Sequence, residues 1–131
     1  MSSYEVQPEE LEHLSFPDAQ ILQQKFSDSP SLRQLIIHLD GSYLNSGNQK
    51  GQLGKGYLKL YDWHQVIVHS YDHRAHKWLL VPSLSKYLLK NICEFIINQK
   101  LITFRGFCVT TGLWTEWVFW ETKISGIFDN N

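Results

Sequence analysis

NICEFIINQKLITFRGFCVTTGLWTEWVFWE, residues 91–121, decides the fold. It reads as three alternating apolar strands, NICEFIIN, LITFRGFCVT and LWTEWVFWE, joined by the short turns QK and TG. Taking Gln99 and Lys100 as the first turn places Phe95 opposite Phe104, Ile97 opposite Ile102, Cys93 opposite Gly106 and Glu94 opposite Arg105. A cross-strand pair of opposite charges contributes roughly 0.2–1 kcal/mol, and a one-residue slip would turn the apolar face into water. Gln-Lys is not a favoured type I′ pair, so either Asn98 carries the positive φ or the loop is longer. Taking Thr111-Gly112 as the second turn pairs Phe104 with Phe119, Cys108 with Thr115 and Gly106 with Trp117, an aromatic covering a strand glycine.

This register separates two faces. Phe95, Ile97, Ile102, Phe104, Cys108, Trp117 and Phe119 carry no charge and form the expected core face. The other face mixes Glu94, Arg105 and Glu116 with Ile96, Phe107, Val109, Trp114, Val118 and Trp120. It is too apolar to be simply solvated. Phe107, Trp114 and Trp120, rimmed by Arg105 and Glu116, have the composition of an interface anchor and are the candidate binding residues. The competing structural reading is that an amino-terminal helix or the first strand covers them. If the sheet curls into a barrel, the same aromatics line a small-molecule cavity instead.

The whole chain, residues 1–131, is read as a single domain, long enough to bury a core without metals or disulfides. Its aromatic content of 14% favours strands. No run of about 18 apolar residues is present, which argues against a membrane-spanning helix. The start, MSSYEVQPEELEHL, is acidic and lacks the basic and apolar stretches of a secretory signal, so a cytoplasmic location is expected. In that compartment Cys93 and Cys108, diagonal on one face, are expected to be reduced and buried. Net charge is −1, but residues 1–30 carry six acids and one base, whereas residues 31–90 carry eight bases and three acids. The bland explanation is an acidic start lying against a basic middle; the sharper one is a surface for a charged partner. The bases are scattered, so nucleic acid is not an expected partner.

Elsewhere, residues 1–16 suggest a short helix around Pro8, Glu9, Glu10 and Glu12, ended by Pro17. A strand is expected over 18–26, a turn over 28–31 with Pro30 in third place, and a strand over 32–39 with Leu35, Ile37 and Leu39 inward. Residues 40–56 read as a polar, glycine-rich loop with scope for mobility. Residues 57–71 are too long for one strand and divide at a corner near Asp62-Trp63. Residues 72–81 read as a loop anchored by Trp78, Leu79 and Leu80. A second short helix is expected over 83–91, with Ser83 as its cap, and a last strand over 123–128.

Signals for catalysis are weak. His64, His69, His73 and His76 lie near Asp62 and Asp72, and imidazole with carboxylate suits zinc or iron. The segment reads as strand and loop, however, without an HExxH spacing, so surface histidines are the expected reading. A minor metal-dependent or pH-responsive role stays open. Gly51, Gly54, Lys55 and Gly56 do not fit a phosphate loop, which needs Ser or Thr after the lysine and a helix beyond. No GxSxG elbow occurs. Glu94 and Glu116 fit ion pairing with Arg105 better than a glycosidase carboxylate pair.

The order of elements resembles a group of small bacterial proteins that includes immunity proteins of polymorphic toxin systems. The resemblance is carried by FPDAQILQQKF (16–26), LRQLIIHLDG (32–41), GYLKLYDWHQVIVHSY (56–71), LITFRGF (101–107) and EWVFWETKISGIF (116–128). It implies a non-enzymatic β-rich domain that binds and blocks a cognate toxin, and no functional-residue motif carries over. The glycine-rich loop at 45–56 and the helical stretch near 83–91 depart from the simplest form of that pattern. The expected architecture is therefore mainly β: a curved antiparallel sheet, small sandwich or partial barrel with two short helices. The expected function is protein binding without cofactor or metal. The alternative is a small-ligand binder with an aromatic-lined cavity.

Overall fold

A computed structural model describes residues 2–17, 19–46 and 49–130. The chain folds as two five-stranded antiparallel sheets with a smaller third. The first sheet contains β1 (Ser3–Val6), β3 (Ile21–Ser29), β4 (Leu32–Leu39), β7 (Gly56–Tyr61) and β13 (Lys123–Asp129), in the order β1-β13-β7-β4-β3. The second contains β8 (Gln65–Asp72), β9 (Lys77–Val81), β10 (Glu94–Asn98), β11 (Leu101–Phe107) and β12 (Trp114–Trp120), in the order β10-β11-β12-β8-β9. β2 (Leu14–Ser15), β5 (Ser42–Ser46) and β6 (Gln49–Leu53) make the third. All three are open sheets, not a closed barrel. Among the described residues no helix is long and apolar enough to cross a membrane.

Strand alternation builds the core. Leu35, Ile37, Leu39, Leu58, Leu60 and Phe128 come from the first sheet, and Val68, Ile102, Phe104, Trp117 and Phe119 from the second; all are buried in one cluster. The chain crosses between the sheets at two corners. The first follows β7 at residues 62–64, where Asp62 takes a φ of 56°; the second follows β12, where Glu121 takes a φ of 54°. Each corner relieves a strand too long to stay in one sheet. Trp63 fills the space at the first corner. It stacks on Phe26 at 5.7 Å and meets Phe119 edge-on at 5.0 Å. Its indole Nε1 donates to Asp28 Oδ1 at 3.0 Å, and Arg33 Nη1 donates to its carbonyl at 3.1 Å. A large buried aromatic thus has its one polar atom satisfied.

The first expected hairpin holds in every pair from Glu94–Arg105 to Asn98–Leu101, with Gln99, not Asn98, at positive φ. The second is corrected. Phe104 pairs with Trp117, Arg105 with Glu116 and Gly106 with Thr115, two residues away from the expected partners. The cause is a longer loop. Cys108 N donates to Leu113 O, leaving residues 109–112 as the turn, with Gly112 in the left-handed region. Because side chains alternate with period two, a two-residue slip keeps every face assignment. The neighbour that demands Gly106 is also different: a Cβ there would lie 2.1 Å from the Asn91 carbonyl oxygen.

Other expectations change too. In place of the one helix expected over 1–16, the described residues form β1, a six-residue 3-10 helix over Pro8–His13 and β2. Within the 3-10 helix Glu10 and Leu11 are buried, and Leu14 is buried at the start of β2. The strand expected from residue 18, which itself lies outside the described residues, begins at Ile21 and runs to Ser29. Ser29 pairs with Leu32, so Pro30 occupies the second place of the turn, where its fixed φ is favoured. The loop expected over 40–56 contains the β5–β6 hairpin, which buries Leu44 and Leu53; Gly47 and Asn48 lie outside the described residues. Of the loop expected over 72–81, only the turn at residues 73–76 remains; Asp72 ends β8 and Lys77–Val81 form β9. The helix expected over 83–91 shrinks to a 3-10 turn, Leu84–Lys86, and Ser83 makes no cap bond. Cys93, expected to be buried, is exposed just before β10, while Cys108 is buried; neither is in a disulfide. The acidic start and basic middle do not join as blocks. Among the described ion pairs only Asp28–Arg33, at 3.3 Å, links them.

The first 3-10 helix is tied down by Glu10. Its carboxylate accepts from Tyr4 Oη at 2.6 Å and from Gln7 N at 2.9 Å. The Tyr4 hydroxyl is pushed up to about 12 by the Glu10 hydrogen bond first, then by burial and the charges of Glu10 and Glu9. An unfolded tyrosine ionises near about 10. The folded state therefore keeps a proton that the unfolded state loses, and the stabilisation present below about pH 10 fades as pH rises towards about 12. The stability advantage of the wild type over Tyr4→Phe should shrink across that window in parallel urea titrations. An advantage constant from neutral pH to about pH 12 would contradict this coupling.

Candidate protein-binding face

The outer face of the second sheet brings the candidate residues together. Register alone lines up four residues across four strands: Glu94 opposite Arg105, Arg105 opposite Glu116, and Glu116 opposite His69. Leu80 on β9 completes the row beside His69. Arg105 Nε donates to Glu116 Oε2 at 2.8 Å and Nη1 donates to Glu94 Oε1 at 3.3 Å. His69 Nδ1 lies 3.3 Å from Glu116 Oε1. The hydrogen bond that Arg105 donates to Glu116 leads in raising the Arg105 pKa above its ordinary value, against the opposing effect of burial. Glu116, in the middle, is the more covered of the two acids in the row. One guanidinium held by two carboxylates is a rigid polar stripe, since each long side chain fixes the next.

Apolar residues flank this stripe. On one side the pairs Ile96–Thr103, Thr103–Val118 and Val118–Ile67 make a continuous row, with Trp120 one row further on opposite Leu101 and Gln65. On the other side Phe107 faces Trp114, their rings edge-on at 5.2 Å. Trp78 meets Tyr71 at 5.4 Å and His69 at 6.4 Å. Neither the amino-terminal 3-10 helix nor the first strand seals the expected residues. Phe107 is 39% exposed and Trp120 41%, with Ile96 and Val109 also exposed and Trp114 partly covered. All five candidates, Phe107, Trp114, Trp120, Arg105 and Glu116, therefore share one surface.

Sequence reading did not place His69, Tyr71, Trp78 and Leu80 on this surface. They reach it because β8 joins β12 across a long sequence separation, which no local pattern encodes. The alternation of VIVHSYD did carry half the signal, since His69 and Tyr71 fall on the same side. The remaining histidines disperse. His73 packs on the Tyr71 ring, His76 sits in the β8–β9 turn at a φ of 53°, and His64 lies at the first corner. Among the described residues no three His, Cys, Asp or Glu side chains converge as a metal would require.

An open cleft of about 580 Å³ borders this face, lined by Gln65, Ile67 and Leu80 and, further in, by Phe26, Asp28 and Val66 among others. Phe107, Trp114 and Trp120 are not among its walls, so the aromatics do not line this cavity. Compared with protein-family models, curated proteins and solved structures, the chain shows no significant match to any.

Proposed function

We propose that this chain is a non-enzymatic protein-binding domain whose partner docks on the outer face of the second sheet. In its most specific form it is an immunity-type inhibitor that binds and blocks a toxic partner in the cytoplasm. The observation that supports this reading is the coexistence of large exposed aromatics with a pre-ordered charged stripe on one face. Aromatic side chains supply contact area at low entropic cost, and a central ion-pair ladder supplies orientation. Holding Arg105 between two carboxylates before binding reduces the ordering cost at the interface. Exposed apolar side chains stand on both sides of this stripe, Ile96 and Trp120 on one and Phe107 and Trp78 on the other, and support the same reading.

The test is paired. Phe107→Ser with Trp120→Ser should leave the fold intact, because both side chains are already well exposed. Co-purification from the native host should then recover a partner with the wild type and not with the double variant. For the immunity-type form, the recovered partner should be toxic when expressed alone and harmless when the wild-type chain is co-expressed.

A further inference from the structure

A second surface lies at the edge of this sheet. β9 has β8 on one side and, among the described residues, no strand on the other. Its sequence, KWLLV, puts three large apolar residues in succession, so apolar groups are exposed on both faces of the strand. Trp78 is 41% exposed, Leu79 42% and Leu80 72%. Edges of this kind invite pairing, and proteins protect them with bulges, mid-strand charges or covering segments. The other outer strands of the two large sheets show such devices. β3 has a bulge at Ile21/Gln23, Lys25 in mid-strand, and bonds from Ile21 N to Lys90 O and from Gln24 Nε2 to Leu89 O. β10 has β2 and the first 3-10 helix against it, and β1 is only four residues long. Among the described residues, β9 has neither a bulge nor a mid-strand charge. Its lysine stands at its first position, and Pro82 follows its end.

We propose that β9 pairs antiparallel with β9 of a second copy, joining two second sheets into one. A two-fold axis perpendicular to the sheet requires paired residues to lie on the same face. The axis must then pass through a residue and not between two. Centred on Trp78, it would set His76 against Leu80 and Lys77 against Leu79. Centred on Leu80, it would set Trp78 against Pro82 and Lys77 against Ser83. Centred on Leu79, it sets Leu79 against Leu79, Trp78 against Leu80 and Lys77 against Val81. The Leu80 register brings Pro82 into the ladder, where it has no N–H to donate. Only the Leu79 register pairs the whole strand, Lys77–Val81, while facing all three exposed apolar side chains with apolar partners and opposing no like charges. The basic turn between β8 and β9, with Arg74, His73 and His76, falls at opposite ends of the paired strands in the two copies. An isologous contact of this type closes at two copies, because each chain has one such edge. The inference does not depend on the partner proposed above, since Leu79 pairs with Ser70 on the other side of the sheet from His69 and Leu80, and the Leu79 variants leave that face unchanged.

The register supplies its own test. In sedimentation velocity over a series from micromolar to millimolar concentration, the wild type should shift from monomer to dimer and go no further. Leu79→Lys places two lysines face to face across the axis and Leu79→Asp places two aspartates there. Each should weaken self-association on the order of a hundredfold. Mixing the two variants should restore dimers, because the lysine introduced in one copy then faces the aspartate introduced in the other. Circular dichroism should show both variants folded. If either is not, Leu80→Lys and Leu80→Asp replace them, and both should weaken the dimer by removing its contact with Trp78. A wild type that stays monomeric throughout, forms larger assemblies, or dimerises unaffected by these substitutions would overturn the proposal. So would folded Leu79 variants that fail to pair on mixing.

Discussion

Trp117→Ala is expected to lose about 3–5 kcal/mol of folding stability, the range for removing a fully buried tryptophan. Trp117 has no exposed surface, meets Phe104 edge-on at 5.9 Å, and donates its Nε1 hydrogen to the Tyr87 carbonyl at 3.0 Å. Truncation removes the ring from the centre of the core, leaves a cavity between the sheets, and strips a partner from the Tyr87 carbonyl. A domain of this size has about 5–15 kcal/mol in total, so the variant should be marginal or unfolded. Trp120, three residues later, faces outward, and Trp120→Ala should change stability by less than about 1 kcal/mol. Urea unfolding of the two variants side by side tests the face assignment. Equal losses would show that the sheet does not have one dry face and one open face.

Gly106→Ala should be the second most damaging change, by about 3 kcal/mol or more, at the upper end of overpacking costs. The added carbon would sit 2.1 Å from the Asn91 carbonyl oxygen, a backbone atom that cannot swing aside. Asn91 is held from both directions. Its Oδ1 accepts from Phe107 N at 3.1 Å, and its backbone bridges to Gln20 just before β3. Moving Asn91 therefore disturbs the junction between the two large sheets. Thermal unfolding should show the loss clearly. If Gly106→Ala were as stable as the wild type, the close approach of residue 91 to β11 would be wrong.

Much of the fold was legible because side chains in strands alternate. The second hairpin shows how far that goes. Reading Thr111-Gly112 as a two-residue turn misplaced every partner, yet a shift of two left Phe104, Trp117 and Phe119 on the dry face and Trp114 and Trp120 on the open one. Gly112 does carry positive φ, but as the last residue of a longer loop. The corner at Asp62-Trp63 was legible because the β-forming run from 57 to 71 exceeds one strand. β5, β6 and β9 were not legible. The first two are polar and glycine-rich, and only Leu44 and Leu53 betray a buried side. β9 exposes apolar residues on both faces, so it has no alternation to read, and its length suggested anchors in a loop.

The candidate site was legible in part for the same reason. Arg105 and its two acids could be placed from strand parity within residues 91–121. His69 and Trp78 could not, because the β12–β8 pairing joins segments about fifty residues apart and depends on the whole sandwich closing. Parity of neighbouring strands is a local property. The order of strands across a sheet is not.

The central claim is that the outer face with Phe107, Trp114 and Trp120 serves recognition and not folding. Its most direct test is to measure, on one preparation of Phe107→Ser with Trp120→Ser, both the urea midpoint and the partner recovered from the native host. The predicted result is a midpoint close to that of the wild type together with loss of a partner that the wild type retains. Collapse of the fold, or recovery of the same partner in the same yield, would contradict it.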